Sequence, residues 1–403
     1  MIPRILEKKL LSTARQYPIV TVTGPRQSGK TTLVRHAFPK HPYISMENPS
    51  QRQLAMEDPQ AFLARYPQGV ILDEAQRVPD LFSYLQGVVD ENPTPGRFIL
   101  TGSENFLLLR TISQSLAGRC GILHLLPLSL AELEGRKPYD LEKPGDLSGK
   151  GLHPAKRVKA GRQWPSVLWR GFYPAIHDKK LEPSDWLDPY VQTYLERDVR
   201  SLLNVGNLET FGRFLRLCAG RSGQLLSLSG LATDCGVSQP TARQWLSVLK
   251  ASFIVTLVEP YHRNFNKRII KTPKLYFLDT GLLCNLLRIS TPEDLAQHSL
   301  RGAVFETFVA SELVKNFMNR GSRPELYFWK DKTGHEVDFV VEGAKGCVAL
   351  EAKSGETVQD DLFTGLRYWK SHNPAGTKAM VLLYGGAEAY THQGFNVVPW
   401  NHL

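Results

Sequence analysis

Apolar residues recur in two rhythms along this chain of 403 residues. Before residue 17, Ile5, Leu6, Leu10 and Leu11 fall at helical spacing with Lys8, Lys9 and Arg15 between them, which predicts an amphipathic helix. From there to about residue 130 the short apolar runs 19–22, 70–72 and 98–100 alternate with helix-like stretches, the pattern of a parallel sheet covered by helices on both faces. Between Glu132 and Trp164 glycine, proline and lysine dominate, as in 142–146 and 156–162, and a connector or exposed loop is expected. Helical periodicity returns over Trp186–Val199 and Phe211–Leu217. Leu228–Lys250 reads as a helix-turn-helix, with Gly236 at the turn and Ser238 capping the second helix. There Ala242, Trp245, Leu246 and Leu249 share one face and leave Thr241, Arg243, Gln244 and Lys250 outward.

Two strand-like runs follow, Phe253–Val258 and Lys274–Leu278, joined by the basic segment 261–268, which looks like the wing of a winged helix. From about Arg301 the expected order is helix (304–318), three strands (326–329, 336–341, 347–351), helix (361–369) and two strands (379–384, 395–398).

Chemistry enters at the first strand. Gly24, Pro25, Arg26, Gln27, Ser28, Gly29, Lys30 and Thr31 fit G-x-x-x-x-G-K-[ST] without a mismatch, between the run 19–22 and a helix continuing through Thr32. Gly24 and Gly29 let backbone N–H groups approach an anion, Lys30 supplies charge to the outer phosphates, and the Thr31 hydroxyl is placed to ligate Mg²⁺. A second run ends in Asp73 and Glu74; Asp73 would hold Mg²⁺ through its water shell and Glu74 would orient or deprotonate the attacking water. The third run ends in Ser103, placed to sense the γ-phosphate, and all three ends meet at the carboxyl edge of such a sheet. Arg119 either reaches a neighbouring subunit's γ-phosphate, making the active form a homo-oligomer, or is solvated or held by a local carboxylate.

Charge adds a partner. The net charge of +10 and pI near 9.3 point to an anionic one. The outward helix residues, with Arg263, Lys267 and Arg268 of the wing, suit DNA phosphate contacts and weak groove readout, although winged helices also pack domains or bind proteins. Near the C-terminus Asp338 opens an apolar run, and Glu351 and Lys353 share one face at the end of the next. If these strands pair through the turn at 343–346, Asp338 joins them and Glu306 can approach from the helix. Carboxylates so gathered bind Mg²⁺, with a lysine to position water against a phosphodiester; acids and lysines also flank strands without any such role. Five cysteines (Cys120, Cys218, Cys235, Cys284, Cys347) stand singly, which suits a reducing cytosol. No uncharged apolar run approaches the ~20 residues that cross a bilayer, so a soluble cytoplasmic protein without a membrane partner is expected.

The segments 24–31, 72–76, 100–103, 115–119, 194–199, 274–281, 336–339 and 350–353 together resemble the bacterial and archaeal AAA-type ATPases that end in a domain of unknown function. That family is expected to join a P-loop (RecA/AAA-like) α/β domain to a winged helix and a restriction-endonuclease-like PD-(D/E)xK fold. The resemblance implies an ATPase domain over 1–131, a basic connector and helical linker over 132–205, a winged-helix domain over 206–297 and a nuclease-like α/β domain over 298–403. It implies ATP and Mg²⁺ as cofactors, Lys30, Thr31, Asp73 and Glu74 as ATPase residues, and Glu306, Asp338, Glu351 and Lys353 as the nuclease set. The segment 171–175 lacks the second glycine and following acid of the pattern, and the connector near 140–162 is longer. An ATP-driven enzyme acting on DNA is the expected function. The alternatives are a nucleotide switch whose C-terminal domain only binds DNA or protein, and a regulator of a protein partner.

Overall fold

In a computed structural model of the chain, which describes residues 1–102, 116–137, 163–194, 199, 208–261, 271–343, 346–372 and 376–403, the apolar runs near the N-terminus become strands of one sheet. They are β1 (Ile19–Thr23), β2 (Tyr43–Ser45), β3 (Val70–Asp73), β4 (Phe98–Gly102) and β5 (Cys120–His124), in the order β2-β3-β4-β1-β5 with every pairing parallel. Because side chains alternate along a strand, Ile19, Leu72, Phe98 and Leu100 pack on one face, against Phe62, Phe82 and Leu85. Val20, Val22, Ile71 and Ile99 pack on the other, against Leu6, Leu10, Leu33 and Val34. The helices Leu6–Ala14 and Lys30–Ala37 thus cover one face, and Pro49–Glu57, Pro59–Ala64 and Leu81–Glu91 the other. The strands β2 and β5 were not singled out by the apolar pattern: β2 has three residues, all half-buried, and β5 alternates rather than running apolar throughout.

This sheet belongs to a first unit of Met1–Leu128 with Ala251–Phe253 and Phe317–Arg323. A second unit comprises Ser129–Lys250, Ile254–Asn316 and Pro324–Leu403, so the expected boundaries at 205/206 and 297/298 fall inside it. Its sheet is built from β6 (Val255–Pro260), β7 (Lys274–Phe277), β8 (Leu326–Lys330), β9 (Glu336–Gly343), β10 (Gly346–Lys353), β11 (Thr377–Tyr384), β12 (Tyr390–His392) and β13 (Phe395–Pro399). The order is β12-β13-β11-β10-β9-β8-β6-β7. The hairpin β6/β7 joins it through a short parallel contact, Glu259 with Tyr327 and Pro260 with Phe328. Helix Thr364–His372 places Leu366 and Trp369 on the core formed by Val337, Val340, Ala349 and Leu382.

The helix-turn-helix spans Leu228–Cys235 and Gln239–Ala251, with Gly236 in the left-handed region (φ 72°) closing the first helix. The stretch expected to link domains contributes to the second unit's core: helices Trp164–Arg170 and Pro183–Tyr194 bracket Phe172, which stacks on Phe308, and Trp164 meets Phe305 edge-on. Gly171, the residue of the departing segment, has φ 70° and lies so close to Gly281 that a Cβ would sit 2.7 Å from its Cα. No helix among the described residues is long and apolar enough to cross a membrane.

Candidate functional site

The phosphate-binding loop leaves β1 and enters helix Lys30–Ala37, and three residues in the left-handed region, Gly24 (φ 151°), Gln27 (φ 61°) and Gly29 (φ 94°), bend it into a cradle. A Cβ at Gly24 would stand 2.1 Å from the Leu125 carbonyl oxygen, so only glycine lets the loop pass there. Arg4 supports the loop from behind: its guanidinium donates to the carbonyls of Ser28 (2.6 Å) and Leu126 (2.7 Å). Lys30 is buried and donates from Nζ to the carbonyls of Gly24 (3.0 Å) and Pro25 (2.9 Å). Pro25 is buried, Arg26 half-buried and Thr32 exposed.

Asp73, at the end of β3, is buried and collects hydroxyl donors. Thr31 Oγ1 lies 3.2 and 3.3 Å from its two oxygens, Tyr43 donates at 2.6 Å, and Thr101 at the end of β4 donates as well. Burial and then this bond push the Tyr43 phenol well above its ordinary range. Glu74 follows in the left-handed region (φ 54°, ψ 43°), a conformation that costs a non-glycine residue about 1–2 kcal/mol and re-aims its side chain from the direction the strand would impose. Gln76 Nε2 donates to Glu74 Oε2 at 2.5 Å.

The fit to a triphosphate with Mg²⁺ rests on three observations. The Ser28 hydroxyl is buried inside the loop without a hydrogen-bond partner among the described residues, as a donor awaiting an anion would be. The cradle exists only because glycine stands at 24. Thr31 and Asp73, the donor pair Mg²⁺ requires, already touch. Ser103 lies outside the described residues; within them the third strand end contributes Thr101. Arg119 makes a bidentate pair with Asp90 of helix Leu81–Glu91 at 2.5 and 2.9 Å, on an exposed surface. It is thus held by a local carboxylate.

A second cluster occupies the second unit. Strands β9 and β10 pair antiparallel from Gly343 and Gly346, which brings Asp338 beside Glu351. Lys353 Nζ reaches Glu351 (2.7 Å) and Asp338 (3.2 Å), and the Ala352 N–H donates to Asp338 (2.9 Å). Glu306, on helix Arg301–Asn319, accepts from Lys274 Nζ (3.0 Å) and the Tyr276 hydroxyl (2.6 Å). Lys274 also pairs with Glu336, which Lys330 approaches from its other oxygen at 2.6 Å.

Burial first, and then the neighbouring Asp338 charge, push the Glu351 carboxyl well above its usual range. Burial acts the same way on Asp338, but Lys353 and Lys274 outweigh it and hold that carboxyl low. Glu306 is raised by burial and by Asp338. Burial opposes the charge on Lys274, yet Glu306, Asp338 and Glu336 more than compensate and raise it. Two adjacent carboxylates are the ligand type that would suit a Mg²⁺ keeping most of its waters. Among the described residues no group of three or more potential ligands converges as a cage. Lys274, Tyr276 and Glu336 lie in the segments 274–281 and 336–339 that carry the family resemblance, which implies no role for them at the site; the physical signal is a lysine opening the apolar run 274–278, where a buried charge must find acids.

Of the residues expected on DNA, Arg243, Gln244 and Lys250 are exposed on helix Gln239–Ala251, while Thr241 is half-buried with its hydroxyl on that of Ser238 (2.7 Å). Arg263, Lys267 and Arg268 lie outside the described residues.

Residues 16–134 match the family model described as AAA domain, so the chain carries an AAA-type P-loop ATPase domain. Residues 161–293 and 301–403 match two domains of unknown function, DUF8612 and DUF4143. Uncharacterized protein Rv2008c of Mycobacterium tuberculosis is 34% identical over 352 residues, covering 87% of this chain and 73% of the relative. Uncharacterized protein MJ1544 of Methanocaldococcus jannaschii is 21% identical over 360 residues, covering 85% and 75%. Among solved structures, the Walker-type ATPase PABY2304 of Pyrococcus abyssi superposes with a TM-score of 0.42 at 16% identity, covering 70% of this chain and 94% of that one.

Proposed function

Since the chain belongs to the family of the mycobacterial protein Rv2008c and carries an AAA domain ahead of a DUF4143 domain, we propose that it binds and hydrolyses ATP with Mg²⁺ and acts on DNA through its second unit. The observation that carries the ATPase reading is the cluster of Thr31, Tyr43 and Thr101 on Asp73 beside a glycine-shaped loop. Lys30 and the loop N–H groups would hold the phosphates, and Thr31 and Asp73 would hold Mg²⁺, which supplies Lewis acidity and orientation when bound. Glu74 would take a proton from the attacking water. In the second unit Arg243, Gln244 and Lys250 offer a polar helix face to DNA, and Asp338, Glu351 and Lys353 form a centre suited to a metal-dependent phosphodiester reaction.

A second reading is favoured by Lys274 and Lys353: they already neutralise the acids, as in a platform that binds DNA without cutting it. Wild-type, Lys30→Ala and Asp338→Ala proteins, assayed together with labelled DNA, Mg²⁺ and ATP, separate the readings. ATP turnover lost only in Lys30→Ala, with cleavage lost in Asp338→Ala, supports the first. DNA bound at low salt without cleavage supports the platform, and no DNA binding at low salt removes DNA from both. ATP turnover that survives Lys30→Ala overturns the ATPase assignment.

A further inference from the structure

Glu74 is the acid expected to meet the attacking water, and one carboxylate does not suffice to orient it. A water molecule has two hydrogens, so fixing its plane and aiming its lone pair takes two acceptors. The structure offers a second. Gln76 stands in the turn Ala75–Arg77 that follows β3, is 6% exposed, and donates from Nε2 to Glu74 Oε2. A carboxylate only accepts, so this bond settles which end of the amide is nitrogen. The other end, Oε1, is buried and has no hydrogen-bond partner among the described residues. Leaving a buried carbonyl oxygen unpaired costs about 1–3 kcal/mol. A side chain serving only to prop Glu74 could have been packed without that penalty.

We propose that Gln76 is a positioning residue for hydrolysis, its amide nitrogen holding Glu74 and its amide oxygen accepting the second hydrogen of the attacking water. This deepens the ATPase reading and rests on it. In the step so arranged, the water oxygen forms the new bond to the γ-phosphorus while the bond from that phosphorus to the β–γ bridging oxygen breaks. ADP leaves with the bridging oxygen, inorganic phosphate is the other product, and the proton lost by the water passes to Glu74 and then to solvent. Asp73 and Thr31, which touch each other and would hold Mg²⁺, are assigned no part in orienting the water.

The test compares ADP with ADP plus aluminium fluoride, a mimic of the transferring phosphoryl group, in Mg²⁺ buffer, using Gln76→Met, which keeps the length and packing, and Gln76→Asn, which keeps the amide but is one methylene too short to reach Glu74. Expected for both is wild-type affinity for ADP, loss of the extra affinity gained with aluminium fluoride, and kcat lower by about tenfold to a hundredfold at unchanged KM. A variant that keeps the wild-type gain with aluminium fluoride and the wild-type kcat overturns the assignment to Gln76 while leaving the ATPase reading intact. ADP and ADP–aluminium fluoride affinities that fall together in both variants also overturn it, since the residue is then structural. A wild-type protein that neither binds ADP nor turns over ATP overturns the ATPase reading, and the role of Gln76 with it.

Discussion

The two acid centres of this protein are built on opposite electrostatic plans. Around Asp73 the donors are hydroxyls of Thr31, Tyr43 and Thr101, which fix the carboxylate while leaving its charge in place. Around Asp338, Glu351, Glu306 and Glu336 the donors are the ammonium groups of Lys353, Lys274 and Lys330, which cancel charge as they fix it. A carboxylate held by neutral groups is poised for an incoming cation. One held by lysines is internally balanced, and an ion entering there must displace or share an existing partner.

The largest test of this contrast is at the loop. Lys30→Ala should weaken nucleotide binding by about a hundredfold, the loss expected for a charged hydrogen-bond donor to phosphate, read by titration with a fluorescent nucleotide. Glu74→Gln should keep that binding and lower turnover by about a hundredfold to ten-thousandfold. In the second centre the effect should fall on folding. Lys274→Met leaves Glu306 without a cation beside Asp338 and Glu336 with Lys330 alone, and should destabilise the second unit by about 3–5 kcal/mol in denaturant titrations, and adding Glu306→Gln should recover part of that loss. A Lys274→Met protein as stable as wild type would remove the claim that charge balance holds this centre together.

A smaller effect is expected at His124, which ends β5 beside the loop, with Nδ1 2.9 Å from the Thr23 hydroxyl and its ring against Phe253. Burial depresses its imidazole below the ordinary value of 6.5. The unfolded chain therefore binds the proton more readily than the folded one, so the contribution to stability is full above pH 6.5 and is lost as pH falls from there through the lower pKa of the folded state. Unfolding curves from about pH 7.5 to about pH 5.5 should show the first unit weakening, and His124→Phe should flatten that slope. The smallest effect belongs to Asp90→Ala. Its pair with Arg119 is solvent-exposed, so the melting temperature should not move. A change in ATP turnover with protein concentration in that variant would then mark an Arg119 released to act on a second copy.

The loop and the strand ends were legible because phosphate chemistry demands particular residues at fixed spacing. Gly24 through Thr31 and the Asp73–Glu74 pair lie where β1 and β3 stop, although β4 intervenes between those strands. The order of elements from Arg301 onward was legible for a similar reason, since helix Arg301–Asn319 and strands β8 to β11 and β13 follow the apolar rhythm closely. Tyr43, Arg4 and Lys274 were not. Each acts on a residue far along the chain, Asp73, the 24–31 loop and Glu306 respectively, and no local period records such a meeting.

What the linear order of residues determined by itself is therefore the local chemistry: a backbone that must bend at Gly24 and Gly29, runs apolar enough to be buried, and acids at the ends of strands. Tertiary structure alone decided which countercharges those acids would keep. Folding places Thr31, Tyr43 and Thr101 on one carboxylate and lysines from separate strands on the others, and the energy of a buried charge depends on what lies within a few ångströms in space, whatever the distance along the chain.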